Sequence, residues 1–274
     1  MSQLGPLYII GDIHGQYNKL VSLLRGAGLV DAGLGWVGGD ARLWLMGDFF
    51  DRGPQAIEAI ELLMQLQPAA AAAGGQVQSL LGNHEPLILA ALRFGETRTA
   101  RSGTFLWSWR RNGGNDEDLE RLTPEQIEWL VNLPAMALVD DRLLIHADAT
   151  FYTSYGATID QVNQAFRELL RGDDPAAWER LLEQFSERRA FADADPDGAA
   201  RATQMLADFG GSQIIHGHTP ISNVLRSFPE DVTEALEYAG GLCVNVDGGM
   251  YLDGPGFVYA VPAVAPARRV AERA

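Results

Sequence analysis

The sequence predicts an α/β fold, and three segments predict it. Residues 7–11 (LYIIG), 43–47 (LWLMG) and 77–82 (VQSLLG) are apolar runs of strand length that close on glycine followed by Asp or Asn. Each leads into apolar residues at helical spacing: Leu20, Leu23 and Leu24; then Ile57, Ile60 and Leu63; then Leu87, Leu89 and Leu92. Strand, polar turn and helix, three times in succession, read as βαβ units. In such units ligands bind outside the carboxyl ends of the strands.

The alanine run Ala69–Ala73, between Pro68 and Gly74, reads as a helix end. Residues 95–118 are rich in Gly, Arg, Asn and Asp around FLWSW, and are expected to form a lid or specificity insertion. A helix should start near Thr123-Pro124, with Thr as cap and Pro at its first position. Residues 142–147 (RLLIHA) read as a buried strand ending at His146. Residues 158–209 read as helical, broken at Gly172–Pro175 and at DADPDG, before short strands at 213–216, 242–246 and 256–260. One domain over 1–262, with a frayed tail over 263–274, is the expected organisation.

Composition narrows the function. The chain of 274 residues is 47% hydrophobic, which supports a core without staples, and Cys243 in the apolar run LCVNV reads as a buried thiol. No positively charged leader opens the sequence, and no apolar stretch reaches the ~18 residues of a membrane span, so a cytoplasmic protein is expected. The formal charge of −15 argues against long nucleic acid and anionic membranes, both of which are bound by Lys and Arg. A small anionic substrate stays open, because bound cations invert a local field.

The chemistry lies in five clusters: GDIHG at 11–15, GDFFDRG at 47–53, GNHE at 82–85, IHAD at 145–148 and HGHTP at 216–220. All five histidines of the chain fall in them, at or beside predicted strand ends. Asp12 and His14, spaced i and i+2, should leave an extended segment on one side. Asp48 ends the next strand and has two oxygens with which to bridge two metals. Asn83 offers a carbonyl oxygen, and His146 and His218 offer imidazoles. This mixed O/N set suits Mn, Fe or Zn. Asp51 and Arg52 have a plainer alternative as caps of the helix after Pro54, and Glu85 reads as structural.

In this order the clusters resemble those of the calcineurin-like metallophosphoesterases, and within them the phosphoprotein phosphatase branch, with GDxHG, GDxxDRG and GNHE. Here 36 residues separate Asp12 from Asp48 and 35 separate Asp48 from Asn83, similar to the family's intervals. The resemblance implies two facing mixed β-sheets flanked by helices, and two divalent cations, Mn foremost. It assigns Asp12 and His14 to the first metal, Asp48 as the bridge, and Asn83, His146 and His218 to the second. His84 resembles the general acid, with Asp51 orienting it. Arg52 resembles the arginine that grips phosphate, with Asn83 and His84 beside it. The implied reaction is hydrolysis of a phosphate monoester, in a serine/threonine phosphatase or a related bacterial enzyme, by a metal-bridging hydroxide. The substrate would be a phosphorylated small molecule, nucleotide or phosphoprotein. A symmetrical dinucleoside tetraphosphate hydrolase is the alternative, and a non-catalytic module that binds phosphorylated ligands a distant one.

Three positions depart from the pattern. Pro220 stands where many relatives outside the branch carry a further histidine, so the first metal should have fewer protein ligands. The second phosphate arginine is expected between His146 and His218, with Arg188 or Arg189 before Ala-Phe as candidates. His216 precedes the Gly-His ligand, and in a strand it would point the same way as His218. It is expected to stand behind the ligands rather than among them. In 95–118, Trp107 could stack on a base, although an amphipathic helix burying Phe105, Leu106 and Trp109 is the preferred reading. Arg110 and Arg111 are further candidates to meet an anion.

Overall fold

The computed structural model describes residues 5–101 and 103–262. The expected tail, 263–274, lies outside the described residues. Among the described residues, nine strands form two mixed sheets. β1 (Leu7–Ile10), β2 (Arg42–Leu45), β3 (Gln76–Ser79) and β9 (Tyr259–Ala260) make one, in the order β3-β2-β1-β9. β4 (Met136–Val139), β5 (Arg142–Ile145), β6 (Gln213–His216), β7 (Leu236–Tyr238) and β8 (Cys243–Asn245) make the other, in the order β4-β5-β6-β8-β7. Strands β1, β2 and β3 run parallel, as do β5, β6 and β8, with antiparallel strands β9, β4 and β7 at the edges.

Strand alternation divides the core into two layers. Leu7, Ile9, Trp44, Leu144, Ile215 and Val244 pack between the sheets. Their neighbours Ile10, Leu43, Leu45, Leu143, Ile145 and Cys243 face the helices. A strand buried on both faces must be apolar throughout, which is why these runs are continuous in the sequence. Helices α1 (Tyr17–Gly26), α2 (Ala56–Ala72) and α3 (His84–Phe94) follow the first three strands as expected. The alanine run is the last turn of α2, with Pro68 inside the helix.

The insertion folds as two short helices, α4 (Phe105–Arg111) and α5 (Asp116–Arg121). Phe105 and Trp109 are buried while Trp107 is 44% exposed, which is the amphipathic pattern. Thr123 caps the next helix, Pro124–Val131, in a reciprocal capping box with Gln126. Edge strands β4 and β7 were not expected from the sequence. Among the described residues no helix is long and apolar enough to cross a membrane.

Candidate metal centre

Register brings the chemistry together. Ile10, Leu45 and Ser79 lie side by side, as do His216 and Asn245, so the polar turns leave common edges of the parallel strands. Hydrogen bonds join the two edges: His146 Nδ1–H donates to the carbonyl of Met46 (2.7 Å), and the His218 N–H reaches both Asp12 oxygens (3.1 Å). The backbone at these turns is left-handed at His14 (φ 44°), Asp48 (53°), Asp51 (69°), Arg52 (68°) and His218 (70°). Side-chain-bearing residues adopt this region rarely, and it persists only where surrounding contacts impose it.

This corrects two expectations built on extended backbone. β1 stops at Ile10, so Asp12 and His14 converge through a turn; Asp12 Oδ2 and His14 Nε2 are 4.0 Å apart. β6 ends at His216, and the turn at His218 sends the two histidines to different neighbours. His216 Nε2 lies 2.7 Å from the Tyr238 hydroxyl, which also donates to Asp148. His218 instead joins Asn83 and His146.

Two groups of donor atoms share Asp48. His14, Asp48 and His84 form one, and Asp48, His146 and His218 the other, with the atoms of each within 4.8 Å of one another. Asn83 Oδ1 lies 3.1 Å from His146 Nε2 and 2.8 Å from His218 Nδ1, which puts it in the second group. His14 Nδ1–H donates to the carbonyl of Phe50 (2.8 Å), as His146 does to Met46. Those bonds leave each Nε2 lone pair facing the site, the orientation a metal-binding imidazole needs. Glu85 accepts N–H bonds from Asp48, Phe49 and Gly82, so its carboxylate clasps the turns carrying Asp48 and Asn83.

The electrostatics fit a cation. Burial opposes charge on Asp48, yet the imidazoles of His146 and His84 outweigh it and hold the carboxyl well below its ordinary range. Burial pushes His146 down, but Asp48 prevails and lifts it to about 10. Burial, then the charge of Asp247, raises Asp12 well above its ordinary value. Burial, with His84 and Arg52 adding to it, lowers His14. Buried carboxylates and imidazoles therefore compete for protons here, and a metal ion would take the protons' place. His218 Nε2 and Asp247 Oδ2 are buried without a partner. Oxygen and imidazole donors with no thiolate suit Mn, Fe or Zn.

Beside these groups stands a buried histidine–carboxylate pair. His84 Nδ1 hydrogen-bonds the Asp51 carboxylate, whose other oxygen accepts the Trp109 indole N–H at 2.7 Å. Burial pushes Asp51 up against the pull of both partners. The capping alternative for Asp51 and Arg52 fails, because α2 starts at Ala56 after Gln55 and Asp51 is turned to His84. Arg52 donates to His14 Nε2 (3.0 Å) and His84 Nε2 (3.1 Å), with its guanidinium 4.2 Å over the Tyr251 ring. Lys19, the single lysine, holds the turn bearing Tyr251 through the carbonyls of Met250 and Gly254.

Of the two candidate arginines, Arg188 bears on the centre: its charge acts on His218 and Tyr251. The Arg189 N–H instead binds Asp148 at 2.7 Å, and its side chain lines a cavity of about 180 Å³ with Tyr238 and Leu225. Arg110 pairs with Asp116, and Arg111 lies 5.3 Å over Trp107. The sequence reading missed Tyr251, the polar role of Trp109, and Asp247. For Asp247 a signal existed: VDGG repeats, after an apolar run, the strand-end Asp of GDIHG and GDFFDRG.

Comparison with known proteins agrees with this geometry. The calcineurin-like phosphoesterase family model matches residues 5–246. A symmetrical bis(5'-nucleosyl)-tetraphosphatase of Neisseria meningitidis is 27% identical over 198 residues, covering 68% of this chain and 63% of its own. The match thus spans less than two thirds of that relative. Shewanella-like protein phosphatase 2 of Arabidopsis thaliana is 37% identical over 79 residues, 29% of this chain and 20% of its own. The crystal structure of a cold-active protein-tyrosine phosphatase of a psychrophilic Shewanella superposes with a TM-score of 0.69 at 22% identity, covering 93% of this chain and 74% of that one. That last likeness speaks for the fold. The family match runs through both sheets and every donor described, and the chain belongs to the calcineurin-like phosphoesterases.

Proposed function

We propose that the protein hydrolyses phosphate monoesters with two divalent cations, Mn foremost. The observation that carries this reading is one buried carboxylate, Asp48, common to two groups of side chains whose donor atoms could hold a metal ion. Asp12 and His14 belong to the first cation, Asn83, His146 and His218 to the second, and Asp48 to both. Bound there, the cations would neutralise phosphate charge and lower the pKa of the attacking water. Arg52 presents a planar, two-pronged donor to the phosphate oxygens, with Asn83 and His84 beside it and Arg188 as the second basic group. His84, held by Asp51, delivers a proton to the leaving oxygen.

The segment 95–118 serves as the specificity element, supported by its direct ties to the site. Arg52 N–H donates to the carbonyl of Gly113 (2.9 Å), and Trp109 binds Asp51. A cytoplasmic location belongs to the same proposal, in keeping with a free buried thiol at Cys243. Hydrolysis of p-nitrophenyl phosphate by chelator-stripped protein, before and after adding Mn²⁺, tests the reading. Activity that appears only with metal is expected. Metal-independent activity, or none with any divalent ion and any phosphate ester, would sink it.

A second reading, symmetrical cleavage of dinucleoside tetraphosphates, is favoured by the Neisseria meningitidis relative. Diadenosine tetraphosphate separates the two. Its conversion to two diphosphates, at a kcat/KM well above that for monoesters, would select the second.

A further inference from the structure

Asp247 follows β8 as Asp12 follows β1 and Asp48 follows β2, one turn beyond the strand, and it is fully buried. Its polar atoms have fixed partners, with one exception. The N–H donates to Asn245 Oδ1 (2.8 Å), the carbonyl accepts from Ile221 (3.0 Å), and Oδ1 accepts the Gly249 N–H (2.9 Å). Oδ2 has none. A buried carboxylate oxygen without a donor is costly unless something outside the chain satisfies it.

Position says what that is. The backbone of Val246 and Asp247 lies so close to Gly11 that a Cβ there would stand 2.9 Å from Asp247 Cα and 2.3 Å from the Val246 carbonyl oxygen. Asp247 is thereby locked beside Asp12, on which it is the leading charge. Asp48, His146 and Arg52 also act on it, but the guanidinium of Arg52 is committed to His14 and His84. Asp12, Asp48 and Asp247 share the single imidazole of His146 as their common basic neighbour, and three buried carboxylates on one such partner are further stabilised by a cation. Neither Asp247 nor Asp12 is among the donor atoms that lie within 4.8 Å of one another; with Oδ1 taken by the Gly249 N–H, Asp247 has one oxygen to offer.

We propose that Asp247 is a positioning carboxylate of the first cation's site, its free oxygen serving the shell around an ion held by Asp12, His14 and Asp48. The inference rests on the two-cation reading above. It also bears on the scarcity of ligands left by Pro220: where that turn supplies no further imidazole, the end of β8 supplies a carboxylate beside the same ion.

The test is stepwise Mn²⁺ binding by calorimetry on chelator-stripped protein, with His14→Ala marking the first cation's step. Asp247→Asn keeps an acceptor for Gly249 and removes the charge. It should weaken that step about 10- to 100-fold, as loss of such outer partners does, and leave the other step unchanged. Asp247→Ser, whose hydroxyl can make the same turn, is titrated if the Asn variant does not fold, with the same expectation. Two unchanged steps, or two equally weakened ones, overturn the assignment. If the parent itself binds no metal, the two-cation reading fails and this inference with it. If the parent binds two ions and hydrolyses nothing, only the catalytic reading fails.

Discussion

The indole N–H of Trp109 donates to Asp51 Oδ1 at 2.7 Å, while the other Asp51 oxygen takes His84. A residue of the insertion thus orients the carboxylate that orients the proposed acid. Trp109→Phe keeps most of the buried volume and removes this bond, worth ~1–2 kcal/mol. Turnover of phenyl phosphate should fall about 5- to 30-fold, with Mn²⁺ affinity unchanged. An unchanged turnover would show that Trp109 only fills space.

His84 and Asp48 should separate cleanly. His84→Ala should keep both metals and lose about 100-fold or more in kcat on substrates with poor leaving groups, and far less on p-nitrophenyl phosphate. Asp48→Asn should lose metal affinity and activity together. Metal content after gel filtration, measured beside kcat, checks both. If His84→Ala releases metal, the residue is a ligand, as its place in the first donor group would then mean.

Arg188 and Arg189 are neighbours with different surroundings. Arg188→Ala should raise KM for anionic substrates about tenfold, since it removes a charge acting at the centre. Arg189→Ala should alter KM little, because Asp148 is held by the Arg189 backbone rather than its side chain. The reverse order in a kinetic comparison would reassign the second phosphate arginine.

Asp118 predicts a pH effect away from the metals. It is fully buried, neither carboxyl oxygen has a partner, and burial followed by the charge of Asp51 raises it to about 7. The folded chain holds this proton more tightly than the unfolded chain. Its contribution is therefore complete below the ordinary Asp range near pH 4 and is lost as pH rises through about 7. Asp118→Asn does not titrate, and its amide can donate to nearby carboxylates such as Glu58. The variant should gain on the parent between pH 5 and 8, by about 1–3 kcal/mol at the upper end. Metal-free melting temperatures that keep a constant difference across that range would refute this.

Glu85 shows how far a motif can be read without coordinates. GNHE marks it as structural, and it is, but only the fold reveals that it clasps the Asp48 and Asn83 turns together. Edge strands β4 and β7 escaped notice because MALV and LEY are too short for periodicity to separate strand from helix. They became strands by pairing with β5 and β8.

By itself the sequence determined the α/β class and seven of the nine described strands in place, and it singled out Asp12, His14, Asp48, Asn83, His146 and His218 as the proposed metal ligands. Continuous apolar runs ending in Gly-Asp, Gly-Asn or His carry that information locally, because a buried strand must be apolar and its end must turn. Only the tertiary structure decided which atoms meet. Left-handed turns at His14, Asp48 and His218, not strand alternation, aim the proposed ligands. Packing across 58 residues sets Trp109 on Asp51, and contact of the β1 and β8 ends sets Asp247 beside Asp12. Such meetings depend on the register of two sheets, and no local pattern of residues encodes that register.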